Sequence, residues 1–344
     1  MKPAFLNYFK VSFISLTLLI LLSGCATEQS SIIKGTKRGA TSTDFSSGKY
    51  LKATGIGNSE KEARLNAKAE LAAIFESKVS SDVINRVRSI VEGSGKETVT
   101  RDDERNIKVL SSVDLKGVEI NKTWYDEKQR AYYAVAMLER AKAGDDWQKE
   151  VDHIDDEIEL ILGALNRQKS DFSKFQSLKK ARQLWMNKEV ILSRLRVLGY
   201  SDLSVAAYNA RDIFSSIQQL KSQFMVFITV GGASNRFSEV IVNEISEGLS
   251  NAGYLITNDK EEGNLLIEAS LKVMPVELNN PGWEFARAAL NLSIVDKASG
   301  LTVGEISENK RSSHLTYEEA AHKAVKTVSK ISTEKVIEYF GASN

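Results

Sequence analysis

Four consecutive residues carry the most specific chemistry in this 344-residue chain: Leu22-Ser23-Gly24-Cys25. Small residues just ahead of a cysteine, behind an apolar run, are what a signal peptidase cuts and what presents a sulfur for lipid attachment. Lys2 and Lys10 give the basic start, and residues 11–22 are uncharged and apolar. That run is roughly 12 residues, short of the ~20 a helix needs to cross a bilayer. The expected attachment is therefore acyl chains on Cys25. The chain has one cysteine, so no internal disulfide or cysteine-based metal site can form. The covalent lipid is the only added group expected, with no cofactor and no metal. Ala26 stands where an Asp would favour retention in the inner membrane, which directs the expectation to the outer membrane.

Other residue groups have chemistry to offer, and each has a plainer reading. Gly55-Ile56-Gly57 lies between a strand and a helix, but Glu60 stands where a dinucleotide loop needs its third glycine, so a tight turn is expected. Gly231-Gly232 precedes a helix with Arg236 near its start; an anion could sit there, and a strand-to-helix turn is the preferred reading. His153 lies among Asp152, Asp155, Asp156 and Glu157, read as a solvated helix face rather than a cation site. Asp102-Asp103-Glu104 and residues 259–262 read as solvated acidic loops, so no catalytic residue is assigned. Trp124 with Tyr125, and Trp283 with Phe285, place aromatic side chains beside turns. There they would serve as core or edge packing, or as anchors for a partner.

The 46 Lys and Arg nearly cancel the 45 Asp and Glu. No basic face for nucleic acid is expected. Residues 1–24 read as a signal peptide and residues 25–48, rich in Ser, Thr and Gly, as a lipidated flexible tether.

The elements that must position these groups begin with a strand at residues 50–57. Ser59 and Glu62 have capping-box spacing and open an Ala-rich helix with Ala67, Leu71, Ile74, Phe75 and Val79 on one stripe. After a polar loop at 93–105, Ile107, Val109, Val113 and Leu115 alternate as in a strand, and the parity changes at Gly117, where a β-bulge is expected. A turn at 126–130 leads to Tyr133, Val135 and Met137. Residues 49–140 are thus a β-α-β-β module.

Over residues 141–222 the period becomes helical. Trp147, Val151, Ile154, Ile158, Ile161 and Leu165 form a seam, a second helix ends near Gly199, and a third carries Ile213, Phe214, Ile217 and Leu220. A helical hairpin or stalk is expected there. Residues 223–344 alternate over 265–273 and 286–294, with helices at 237–249 and after Thr316. This predicts a C-terminal α+β domain with an antiparallel sheet and two helices, and the fold class of the whole chain is α+β.

Ala53-Thr54-Gly55-Ile56-Gly57, the helix with Ala63, Ala67 and Leu71, the segment Ser112-Val113-Asp114-Leu115-Lys116-Gly117-Val118, and Trp124 ahead of Tyr132-Tyr133-Ala134-Val135-Ala136 form one pattern. It resembles the Lpp-twenty outer-membrane lipoproteins over about residues 49–140, and also proteins that assist flagellar assembly. The resemblance implies an envelope-associated scaffold and brings no catalytic residues with it. The C-terminal part looks like periplasmic lipoprotein domains that activate peptidoglycan synthases or build secretion channels, a likeness of fold only.

These readings converge on a lipid-anchored, non-enzymatic protein of the outer membrane, facing the periplasm rather than the cell surface. It would bind the bilayer through its acyl chains and bind envelope proteins or itself through its folded parts. A regulator of a peptidoglycan synthase, an envelope-polymer hydrolase whose site assembles only in three dimensions, and a ring-forming building block are the alternatives.

Overall fold

The structure is a computed structural model that describes residues 48–94, 101–112, 116–201, 206–278 and 280–341. The lipidation segment Leu22-Ser23-Gly24-Cys25 and nearly all of the 25–48 tether lie outside the described residues.

The first module runs β1 (Tyr50–Gly57), α1 (Glu60–Ser94), α2 (Arg101–Ser111), β2 (Glu119–Asp126) and β3 (Ala131–Glu139). Its sheet has the order β1-β3-β2, antiparallel throughout. The capping box forms as the sequence spacing predicts: Glu62 N–H donates to Ser59 Oγ at 3.2 Å, and Asn58 N–H donates to Glu62 Oε2 at 2.8 Å. One orphan backbone donor at the start of α1 is thereby satisfied, and Glu62 also holds the chain at Asn58, just ahead of the cap.

Along α1 the buried residues are Ala63, Ala67, Leu71, Phe75, Val79, Val83, Val87 and Val91, a strict four-residue step. Four residues turn a helix by about 400°, so each step carries the stripe about 40° beyond a full turn. The buried line therefore winds around the helix. Its small-residue start lies on the sheet, and α1 also packs on α2 and on two helices further along the chain. Each of the larger side chains removed from water in this way contributes about 1.5–3 kcal/mol of transfer free energy.

Three local expectations are corrected here. The segment carrying Ile107 and Val109 is helix α2, not strand: Ile107 is fully buried, while Val109 is 62% exposed. Leu110 packs against the core, so the true spacing from Ile107 is three. Val113 and Leu115 lie outside the described residues. Gly117 has φ +84 in the turn before β2, and the register shift falls between Ile120 and Lys122. The module is therefore β-α-α-β-β. The acidic stretch 102–104 also lies on α2 rather than in a loop: Asp103 pairs with Arg182 at 2.7 Å and Glu104 with Arg88 at 3.3 Å.

The middle segment is α3 (Arg140–Ala164), a 3-10 turn at Leu165–Arg167, α4 (Asp171–Leu198) and α5 (Ala210–Lys221). Helices α3 and α4 run antiparallel. Arg140 reaches the Leu198 carbonyl at 2.6 Å, while Lys188 pairs with Asp155 and Lys180 with Glu157. Ser170 caps α4 by accepting from Ser173 N–H at 3.0 Å, and Gly199, at φ +95, ends it in a conformation that favours glycine. Both α4 and α5 also pack on α1.

The C-terminal part comprises β4 (Met225–Gly231), α6 (Asn235–Asn251), β5 (Leu255–Thr257), β6 (Leu265–Pro275), β7 (Glu284–Asp296), β8 (Leu301–His314) and α7 (Tyr317–Phe340). The sheet order is β5-β4-β6-β7-β8. Strands β6, β7 and β8 form the antiparallel meander read from their alternation, but β4 pairs in parallel with both β5 and β6. The sheet is mixed because α6 is a crossover helix, which returns the chain in its starting direction. On β7, Ala286, Ala288, Leu290, Leu292 and Ile294 all face the core, and α7 covers that face.

Rings from four segments join this sheet to α4. Phe172 lies 5.7 Å from both Phe224 and Phe340, and Tyr254 stands edge-on to Phe340 at 5.0 Å. Helix α4 is thus the common element: its N-terminal half meets the C-terminal sheet domain and its later turns meet α1.

Candidate functional site

Alternation along the three-stranded sheet sends Leu51, Ala53, Ala134, Ala136 and Leu138 under α1. Gly55 and Gly57 belong to the same face, and a Cβ on Gly55 would stand 2.0 Å from the Ala67 nitrogen. The Gly55-Ile56-Gly57 motif therefore lets a helix approach a strand closely. The opposite face carries Ile56, Trp124, Tyr133, Val135 and Met137, and no element among the described residues covers it.

On that face Trp124 stacks on its cross-strand partner Tyr133, with ring centroids 5.1 Å apart and planes 13° from parallel. The Lys122 ammonium stands 5.5 Å from the Trp124 ring. The next pair, Tyr125 and Tyr132, lies 4.9 Å apart, and by alternation it points to the other side of the sheet. Trp124 and Tyr125 both keep more than a third of their surface in water. The edge of β2 is accordingly aromatic on both sides, with a cation beside it.

Trp283 and Phe285 stand apart from this group, at the start of β7 in the other sheet. Trp283 is exposed, and Phe285 is half-buried with its carbonyl accepting from Val276 N–H at 2.9 Å. The Gly231-Gly232 turn opens on a cavity of about 450 Å³ lined by Arg236, Phe237, Leu271, Val273 and Tyr317. Gly232 has φ +73, and a Cβ there would come 2.9 Å from the Leu271 carbonyl oxygen. Backbone geometry accounts for the glycine without a ligand.

A third place was not apparent from the sequence. Lys188, with a side chain 4% exposed, donates to both carboxylate oxygens of Asp155 at 2.6 and 2.7 Å. The Tyr208 hydroxyl donates to the same Asp155 at 2.6 Å. Asp155 therefore leaves the solvated helix face to which spacing assigned it. Burial, then the bond to Asp155, hold the Tyr208 phenol far above its ordinary range.

Beside this pair, Glu189 is buried with Arg86 at 3.8 Å and Arg196 at 3.7 Å, and Arg196 also bonds Asp82 at 2.7 Å. Burial raises the Glu189 carboxyl, and the nearby cations, Arg86 first, oppose the rise. Arg86, Lys188, Glu189, Arg196 and Tyr208 line a cavity of about 340 Å³. The signal available in the sequence was Lys188-Glu189, two charges set between the apolar runs 184–186 and 190–192.

Among the described residues, no three His, Cys, Asp or Glu side chains gather as a metal would require, and no helix is long and apolar enough to cross a membrane. No curated protein matches the chain. Solved structures similar to it include the secreted protein HP1454 from Helicobacter pylori, at 15% identity over 83% of this chain and 97% of that one, with a TM-score of 0.36. A minor lipoprotein from Acinetobacter baumannii is 11% identical over 35% of this chain and 92% of that one, with a TM-score of 0.26. Rare lipoprotein B from Shewanella oneidensis is 10% identical over 34% and 93%, with a TM-score of 0.23. The segment that ends on Glu139, the last residue of β3, agrees with the resemblance drawn from its own motifs: residues 39–139 match the LPP20 lipoprotein family.

Proposed function

We propose that this chain is a lipid-anchored lipoprotein of the cell envelope, held at the outer membrane through Cys25 and facing the periplasm, that acts by binding other envelope proteins rather than by catalysis. The observation that carries this reading is the outer face of the three-stranded sheet, where exposed Trp124 stacks on buried Tyr133 beside Lys122. Rigid aromatic side chains with a cation at the edge are what recognition surfaces concentrate. The Leu22-Ser23-Gly24-Cys25 motif supports the anchor. The family match over residues 39–139 supports the lipoprotein class. The charged cluster supports a non-catalytic reading, since Asp155 is matched to Lys188 rather than left as an acid–base pair.

The test places a photo-crosslinking amino acid at position 124 of the full chain in cells, and at exposed Leu65 on α1 as the comparison. A discrete adduct at 124, with an envelope protein or a second copy of this chain, is the expected result. No adduct at 124, or the same adducts at 65, overturns recognition through this face. The anchor is tested separately with Cys25→Ala, which should lose both a metabolic acyl label and membrane attachment.

A further inference from the structure

The five-stranded sheet ends on a long edge that no other strand occupies. Strand β8 runs 14 residues, against about 5–6 for a typical strand, and stands last in the sheet order. Among the described residues it meets β7 along one edge and α7 on one face, and none of its own residues is buried. An unpaired row of N–H and C=O groups is a template for another strand, so exposed edges are usually kept short, bulged or interrupted by proline. The other sheet edges are shorter: β5 has 3 residues, and β1 and β2 have 8 each, β2 with a register shift between Ile120 and Lys122. Strand β8 has no proline, and its pairing with β7 is regular from Gly304 to His314. The irregularity lies beyond that stretch, at Val303, whose carbonyl accepts from the Tyr339 hydroxyl.

Charged side chains also discourage edge pairing, but those of β8 are ordered to attract a copy of themselves. Outward-pointing backbone groups alternate along an edge, so a two-fold antiparallel partner must be centred on a residue rather than between two. The middle of the regular stretch is Asn309, flanked by Glu308 and Lys310. Centred there, two copies of the stretch overlap completely, and Glu308 of each stands opposite Lys310 of the other. Centring on Glu308 or on Lys310 would set that charge against its own copy, which is destabilising. Glu308 pairs with Lys335 through Oε1 and keeps its second oxygen for Lys310. On the other face of the sheet, Arg311 stands directly across from Arg287 of β7, and neither forms a salt bridge among the described residues. The same centring brings Glu305 of the second copy diagonal to Arg311, within reach of so long a side chain.

We propose that β8 is a self-association edge, through which two copies of this chain join their five-stranded sheets by antiparallel pairing of residues 304–314 about a two-fold axis at Asn309. The edge belongs to the C-terminal sheet, and the proposal is independent of recognition by the outer face of the three-stranded sheet.

The test is sedimentation equilibrium of the full chain in density-matched detergent, together with disulfide trapping in a Cys25→Ala background. A dimer is expected at about 100 μM. Lys310→Glu sets acid against acid on both sides of the axis and should weaken the dimer at least about tenfold. Asn309→Cys brings two copies of position 309 together at a Cα separation of about 4.5–5.5 Å, which a disulfide spans, and should trap the dimer under mild oxidation. Ser307→Cys, on the same exposed face, stands more than about 13 Å from its copy and should not. Trapping alters no charge, so it decides the matter should Lys310→Glu fail to fold. A monomer at about 100 μM, a dimer that folded Lys310→Glu leaves intact, or equal trapping at positions 307 and 309 overturns the proposal.

Discussion

The Lys179 ammonium donates a 2.9 Å hydrogen bond to the Tyr339 carbonyl, joining α4 to the last turn of α7. Gly341, the residue that ends α7 at φ +75, leaves the room: a Cβ there would stand 2.3 Å from Lys179 Cε. The bond links the helix shared by the whole chain to the C-terminal sheet domain. Burial, then the charge of Arg182, lower Lys179 to about 8.

A lowered amine makes this junction sensitive to pH in one direction. Between about pH 8 and the ordinary lysine range the folded chain holds fewer protons at Lys179 than the unfolded chain does. The contribution of this group is therefore full above the ordinary lysine value and is lost as pH falls through about 8. Urea melts across that window should show the native protein gaining stability with pH relative to Lys179→Met. Parallel curves for the two proteins would show that Lys179 titrates as it does in water.

Two glycines should respond oppositely to alanine. At Gly55 the added Cβ would meet the Ala67 backbone at 2.0 Å, so α1 must move off the sheet. Gly55→Ala should cost at least about 1–3 kcal/mol, the range for overpacked cores. At Gly163, inside α3, nothing lies within 4 Å of the new atom. Gly163→Ala should stabilise by about 0.5–1 kcal/mol through helix propensity. Denaturant midpoints for the pair decide it; a neutral Gly55→Ala would mean that the helix is not held that closely.

What the sequence disclosed about this fold follows from how strongly each segment's burial repeats. Trp147, Val151, Ile154 and Ile158 are all buried on α3, and their spacing has no strand interpretation. Ala286 to Ile294 alternate because one face of β7 lies under α7. Segment 101–111 misled because its inward face pairs apolar Ile107 and Leu110 with polar Asp103 and Ser111, while exposed Val109 completes an apparent alternation. The parallel pairing of β4 left no trace in composition, since Val226 and Ile228 are buried in the same alternation an antiparallel strand would show. The aromatic pair at 124 and 125 could be named in advance because it adjoins a turn. The Lys188 and Glu189 cluster could not, because its partners come from positions as distant as Asp82 and Tyr208.

Trp124 offers a way to separate recognition from folding. Its ring stacks on Tyr133 at the sheet surface, an arrangement worth about 0.5–1.5 kcal/mol beyond area. Trp124→Ala should lower stability by no more than a few kcal/mol, leaving a folded chain, while abolishing the adduct formed by a crosslinker at neighbouring exposed position 122. Retention of that adduct would move recognition away from the aromatic stack.

The Lys188 and Asp155 pair should be costly to break and inexpensive to replace. With Lys188 truncated to Met, Asp155 keeps only the Tyr208 hydroxyl and stands as a buried, uncompensated charge. Removing one partner of such a pair typically costs about 3–5 kcal/mol. Replacing both, as Lys188→Met with Asp155→Leu, removes the desolvation of two ions together with their attraction, and it should recover most of that loss. The Tyr208 hydroxyl is then left without its acceptor, so full recovery needs Tyr208→Phe as well. A double-mutant cycle read from urea midpoints measures the coupling. Additive losses from Lys188→Met and Asp155→Leu would show that the two groups are solvated separately and that the cluster around Glu189 is less closed than its geometry indicates.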